Sequence, residues 1–205
     1  MRKRILSILV ALGVTVSVGP AQAIPIIGFA PGEQGVGLGT PVEVALTISG
    51  LGAFAAPSLS TFDLDVSFDP AILAFSSVTF GDPLLGDQLD LFGLGSITTV
   101  TPGTGVVNLF ELSLDTPGDL DTLQPGSFTL ATLEFDTLAV GTSPLGISIN
   151  VLGNAFGEPL SAEVQGGSIS PVPEPASFIL MGIGLAGIAG LRRMRRPKNS
   201  GYGSR

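Results

Sequence analysis

Every basic residue of this chain lies near one of its two ends, and every acidic residue lies between them. Arg2, Lys3 and Arg4 precede one apolar run; Arg192, Arg193, Arg195, Arg196, Lys198 and Arg205 follow another. From Ile24 to Leu191 there is no Lys, Arg or His, while all 17 acidic residues fall between Glu33 and Glu174. The interior must therefore fold without ion pairs between its side chains. It must also fold without disulfides, because the chain has no cysteine. Burial of apolar surface is the force left to hold it.

The two ends read as addresses. Arg2 to Arg4 form a charged start, Ile5 to Val18 an apolar run too short for an ordinary membrane span, and Ala21-Gln22-Ala23 a small-x-small cleavage site. These are the parts of a secretory signal peptide over residues 1–23, cut after Ala23. At the other end, Pro173-Glu174-Pro175 leads into an apolar run over 178–191 and then the arginine cluster. A 14-residue helix covers about 21 Å, short of a hydrocarbon core of roughly 30 Å. Ala176 and Ser177 add length and the arginines can snorkel, so this segment spans a bilayer marginally. The positive-inside rule places the arginines and a short tail, 197–205, in the cytoplasm.

Residues 171–196, with Pro173, Glu174 and Pro175, a Gly-rich helix and then Arg192, Arg193, Arg195 and Arg196, resemble the PEP-CTERM sorting signal of Gram-negative bacteria. The resemblance implies that an exosortase reads the box and removes the tail. It also implies an inner-membrane-tethered precursor that passes to the outer membrane surface or the extracellular matrix. Gly182, Gly184 and Gly187 spell G-x-G-x-x-G, but no strand precedes them and no acidic residue follows at about 20 residues, so no dinucleotide site is expected. They give a small-residue face for helix packing.

Residues 24–170 remain, one domain's worth of chain and enough for a sizeable core. The 29 Gly and 16 Pro of the whole chain suggest many loops without reaching a disordered composition. A domain this acidic repels itself, and salt or divalent cations should relieve the repulsion. Nucleic acid is excluded as a partner, since phosphates need Lys or Arg.

Period-two alternation recurs along this segment. Val42, Val44, Leu46 and Ile48 alternate with smaller or polar residues, as do Phe62, Leu64, Val66 and Phe68, and Leu145, Ile147, Ile149 and Val151. Less regular runs occupy 73–80, 97–100, 106–114, 128–135 and 160–164, most of them bounded by Gly, Pro, Asp or Asn. The pattern predicts an all-β antiparallel sandwich of eight to nine strands, a jelly roll, with no helix inside the domain. Within it, Leu59 to Asp82, with its Phe68-Asp69-Pro70 turn and Gly81-Asp82 end, resembles the second and third strands of a cohesin domain. Gly126 to Ile149 resembles a later cohesin segment. The resemblance implies a nine-stranded jelly roll that docks calcium-binding dockerin modules.

The inventory argues against catalysis. Residues 24–170 hold no His, Cys, Lys, Arg, Tyr or Trp, and the single Tyr is Tyr202. Nucleophilic triads are impossible, a cationic clamp is absent, and acid–base work falls to carboxylates alone. A glycosidase pair would need aromatic platforms that only Phe could supply. The expected function is a non-enzymatic, exported surface module that docks a protein partner. The alternative is a carbohydrate-binding or structural component of an exopolysaccharide or biofilm matrix, which the lack of Trp and Tyr disfavours.

No cofactor is required, and calcium is the one candidate. Asp115, Asp119 and Asp121, in the loop Asp-Thr-Pro-Gly-Asp-Leu-Asp, bring three carboxylates within seven residues, and hard oxygens suit Ca²⁺. Asp82, Asp87 and Asp90 form a weaker candidate. Asp63 and Asp65 are expected side by side on the outer face of a strand, about 7 Å apart. Phe54, Phe92, Phe110 and Phe156 are expected to pack in the core or under loops; exposed together, they would favour a docking face.

Overall fold

A computed structural model describes residues 24–173 and Leu185. The signal peptide, Glu174, Pro175, the helix expected at 178–191 apart from Leu185, Arg192, Arg193, Arg195, Arg196 and the tail 197–205 lie outside the described residues. Among the described residues no helix is long and apolar enough to cross a membrane.

The alternation seen in the sequence becomes two packed sheets. One has the order β10-β1-β3-β8-β5 and the other β2-β11-β9-β4-β7-β6. The first joins β1 (Ile26–Ala30), β3 (Val42–Ser49), β5 (Leu73–Phe80), β8 (Ser127–Thr137) and the two-residue β10 (Glu163–Val164). The second joins β2 (Glu33–Gly37), β4 (Leu59–Ser67), β6 (Ile97–Gly103), β7 (Val106–Leu112), β9 (Ser143–Asn154) and β11 (Gly167–Val172). Most neighbours are antiparallel. The exceptions sit towards the edges, where β1 runs parallel to β10 and β2 parallel to β11.

Every second residue of the central strands enters the core. Val42, Val44, Leu46 and Ile48 of β3 face Phe62, Leu64 and Val66 of β4 and Val107 and Leu109 of β7, all buried. Leu133 and Phe135 of β8 complete the layer. The Phe135 ring packs edge-on against Phe68 at 5.2 Å and Phe75 at 6.1 Å. Each fully buried side chain of this size contributes about 1.5–3 kcal/mol, which lets the domain do without ion pairs.

The count exceeds the eight to nine strands expected because the chain crosses between sheets early. After β1 it turns at Pro31 and enters the second sheet as β2, both short and Gly-containing. A helix, α1 (Pro117–Leu123), also corrects the expectation of none. Its N-cap is Thr116, whose Oγ1 accepts from the Asp119 backbone N–H and donates to the Asp119 carboxylate at 2.6 Å. Proline at its first turn costs no hydrogen bond, and Leu120 anchors it in the interior.

The register sets the polarity of the sandwich. The loops 50–58, 81–96 and 113–126 and the turn 154–158 gather at the end where β4 begins and β7 and β9 finish. The last core strand, β11, runs to the opposite end, where the Gly141 N–H donates to the Pro171 carbonyl at 3.2 Å. Pro173, the first residue of the Pro-Glu-Pro box, is exposed there, directly after β11. The sorting segment therefore leaves the domain at the end remote from its long loops.

Candidate docking face and acidic end

The outer surface of β6, β7, β4 and β9 carries an ordered polar network. Asp63 and Asp65 alternate outward on β4, as expected from the sequence. Across β7, Asn108 Nδ2 donates to Asp63 Oδ1 at 2.6 Å and to Asp65 Oδ1 at 2.8 Å. Across β9, Asn150 Nδ2 donates to Asp63 Oδ1 at 3.1 Å. Asn150 reaches it because the register of β9 slips by one residue between Val151 and Ile149. That bulge re-aims a side chain that strict alternation would place elsewhere. Two rows cross the four strands: Thr99, Phe110, Asp63 and Val151, then Thr101, Asn108, Asp65 and Ser148. The carboxylates are half-buried, fixed by amides, and flanked by Phe110 and the exposed Val151. No cation lies between residues 24 and 191 to neutralise them, so a partner's donors would meet them directly.

The three carboxylates expected to hold calcium are not brought together. Asp115 Oδ2 accepts from the Leu91 N–H at 2.8 Å, tying two loops. Asp119 Oδ2 accepts from the hydroxyl of Thr116, the N-cap of its helix, at 2.6 Å. Asp121 Oδ1 accepts from the buried Ser58 hydroxyl at 2.6 Å. The segment is a helix start and not a flexible loop, and Asp119 and Asp121, two apart on it, point to different sides. Among the described residues no group of three or more His, Cys, Asp or Glu side chains is placed to hold a metal ion.

The loop 81–96 is braced by its own aspartates. Asp82 Oδ1 accepts from the Leu84 and Leu85 amides at 2.8 and 2.9 Å. Hydrogen bonds from Leu85 and then Leu84 hold its carboxyl below the usual range. Asp87 Oδ1 accepts from Leu89 N–H and Asp90 Oδ1 from Gly95 N–H. Leu89 is buried, while Leu84, Leu85, Phe92 and Leu94 are exposed. Gly81 opens the loop at φ 73°, and a Cβ there would lie 2.5 Å from the Asp87 Cα. Phe54 and Phe156 are also exposed at this end, which corrects the expectation that they pack inside; Phe110 is half-buried on the sheet face.

Two interior polar side chains went unremarked in the sequence. Gln124, buried at the end of α1, donates from Nε2 to the carbonyls of Leu59 and Gln88 at 2.9 Å each, and its Oε1 accepts from Leu59 N–H at 2.6 Å. Gln124→Ala strips partners from buried backbone groups, each costing about 1–3 kcal/mol. Urea unfolding should show a loss of at least the lower figure, and an unchanged midpoint would contradict this role. Glu111 is the second. It takes the inward position that follows Val107 and Leu109 on β7 and is fully buried. Its Oε1 accepts from Ser96 Oγ at 2.5 Å, and its Oε2 has no donor. Burial, with the Asp87 carboxylate in hydrogen-bonding reach, pushes its pKa up to about 9. The alternation Val107, Leu109, Glu111 was the available signal: an acid at a core position.

Residues 171–196 match the PEP-CTERM protein-sorting motif. No curated protein sequence matches the chain. Solved structures of cohesins match its fold. The seventh ScaB type I cohesin from Pseudobacteroides cellulosolvens is 16% identical over 74% of this chain and 94% of that one, with a TM-score of 0.58. The Coh-OlpA–Doc918 type I cohesin–dockerin complex from Clostridium thermocellum gives 12% identity, 73% and 100% coverage, and a TM-score of 0.57. A non-cellulosomal cohesin from the archaeon Archaeoglobus fulgidus gives 15%, 76% and 94%, and 0.52. The chain thus joins a β-sandwich with the cohesin fold to a PEP-CTERM protein-sorting motif.

Proposed function

We propose that this protein is an exported, non-catalytic binding module, sorted through its C-terminal motif, that docks a protein partner on the outer face of β6, β7, β4 and β9. What carries the reading is the junction of the two parts. The last core strand ends at Val172, and the sorting motif begins at residue 171. A binding domain is thereby hung from its membrane signal with its sheet face and long loops free of the exit.

The partner in this reading is a dockerin-like module, as in the solved cohesin–dockerin complexes. It brings Lys, Arg or hydroxyl donors to Asp63 and Asp65 and apolar side chains to Phe110 and Val151. Positive charge on the partner speeds its approach to so acidic a domain, and added salt slows it. The double variant Asp63→Asn/Asp65→Asn keeps the shape and removes the charge. It should weaken capture by more than tenfold, read by biolayer interferometry, while melting within about 2 °C of wild type.

Processing is the other half of the reading. The signal peptide is cut after Ala23, and an exosortase recognises Pro173, Glu174 and Pro175 and releases the apolar segment 178–191 with the arginines that follow it. Intact mass of the surface-released protein should begin at Ile24 and lack Arg192 to Arg205. A product still ending at Arg205 contradicts this.

A further inference from the structure

Glu111 poses a problem that the docking reading leaves unused. A fully buried carboxyl sits on β7 with one oxygen bonded to Ser96 and the other unpartnered. It points at the base of the loop 81–96, where the carboxylates of Asp87 and Asp90 act on it. The domain has no Lys, Arg or His with which to pair this carboxyl when it ionises. The loop is not free to swing the aspartates away. Asp87 and Asp90 are pinned by the Leu89 and Gly95 amides, Leu89 is sunk in the core, and Gly81 holds the loop's start against Asp87.

We propose that this cluster binds one hard divalent cation of the calcium class, with Glu111 and Asp87 supplying carboxylate oxygens and Ser96 a hydroxyl oxygen. The donors are all oxygen, which suits Ca²⁺ and excludes the softer metals that favour thiolate or imidazole. Two carboxylates balance the charge of one such ion. The ion displaces to solvent the proton that Glu111 otherwise holds, and Oε2, which no donor reaches, gains the cation as its partner. With two protein carboxylates, the rest of a shell of six to eight oxygens falls to water and loop carbonyls. That composition belongs to the weak, extracellular range of about 10⁻⁴–10⁻³ M. Asp90 adds charge without being needed as a ligand. The ion staples the loop 81–96 to β7, so it orders the segment that displays Leu84, Leu85, Phe92 and Leu94 to solvent. This site is separate from Asp115, Asp119 and Asp121.

Residues 24–173 close their own core, so this domain can be tested alone. Melting is followed in millimolar calcium and in EDTA, with ionic strength matched by sodium chloride to separate binding from general screening. Calcium should raise the melting temperature by about 3–6 °C, and titration calorimetry should give one site per chain. Glu111→Gln should fold and lose the calcium shift. Asp87→Asn, which leaves the β7 core position untouched, should at least halve it. Asp63→Asn/Asp65→Asn should keep it whole. A calcium shift no larger than that of sodium at equal ionic strength overturns the proposal, as does a shift that survives both Glu111→Gln and Asp87→Asn.

Discussion

In EDTA, the Glu111→Gln domain should melt well above wild type at pH 8 and close to it at pH 5. The sign follows from the pKa. An unfolded Glu titrates near 4.5, whereas the buried Glu111 holds its proton to about 9. Below the lower value both states are protonated, and the folded state keeps its full advantage. Between the two values the native chain carries a proton that the unfolded chain has lost. Stability then falls as pH rises, by up to about 1.4 kcal/mol per unit for one group. From pH 5 to pH 8 the accumulated loss reaches up to about 4 kcal/mol. Glutamine imitates the protonated acid, donating from its amide towards Asp87, and does not titrate. Urea midpoints across this range should decline for wild type and stay nearly level for Glu111→Gln. Parallel curves would mean that Glu111 is ionised in the folded domain. The same residue thus joins two readouts, a proton-linked one without divalent cations and a calcium-linked one with them.

Phe135→Ala should have a comparable effect by a different route. Phe135 is fully buried on β8, in the sheet facing β4 and β7, with the rings of Phe68 and Phe75 against it. Truncating it removes apolar burial and leaves a cavity walled by neighbours that β-sheet hydrogen bonds hold in place. The expected cost is about 3–5 kcal/mol. With no disulfide in reserve and no internal ion pair, that is a large part of the stability of a domain this size. Equilibrium unfolding should show a lower midpoint with an unchanged slope. A loss below about 1 kcal/mol would mean that the core collapses around the gap.

The central strands were legible because one face of each is buried and the other is not. Val42 to Ile48 and Phe62 to Val66 alternate in sequence and in burial alike. The two short strands at the start of the domain were not. β1 and β2 are five residues each and contain Gly28, Gly35 and Gly37; β1 pairs with Ala45 to Ser49 of β3 and the two-residue β10, and β2 pairs with the distant Ser168 to Val172. The helix α1 was hidden by its brevity and by Pro117-Gly118, although Thr116 followed three residues later by Asp119 is the signature of an N-cap. At the candidate face, the outward aspartates could be read from the alternation of β4. Asn108 and Asn150 could not, because their meeting at Asp63 depends on strand order and on a bulge. The acid-rich loop at Asp115 to Asp121 misled for a related reason. Spacing along the chain says how many carboxylates are near one another, and the hydrogen bonds to Ser58, Thr116 and Leu91 decide where each one points.

The central claim is that this domain works by being bound on its acidic sheet face. The most direct measurement is a quantitative capture in calcium buffer from the secreted and surface proteins of the source organism. Wild-type domain and Asp63→Asn/Asp65→Asn are immobilised side by side, and bound proteins are counted by mass spectrometry. The account predicts at least one protein enriched on the wild type and lost by more than tenfold on the variant, its purified form binding the wild-type domain directly. Capture profiles that do not differ between the two domains would contradict it.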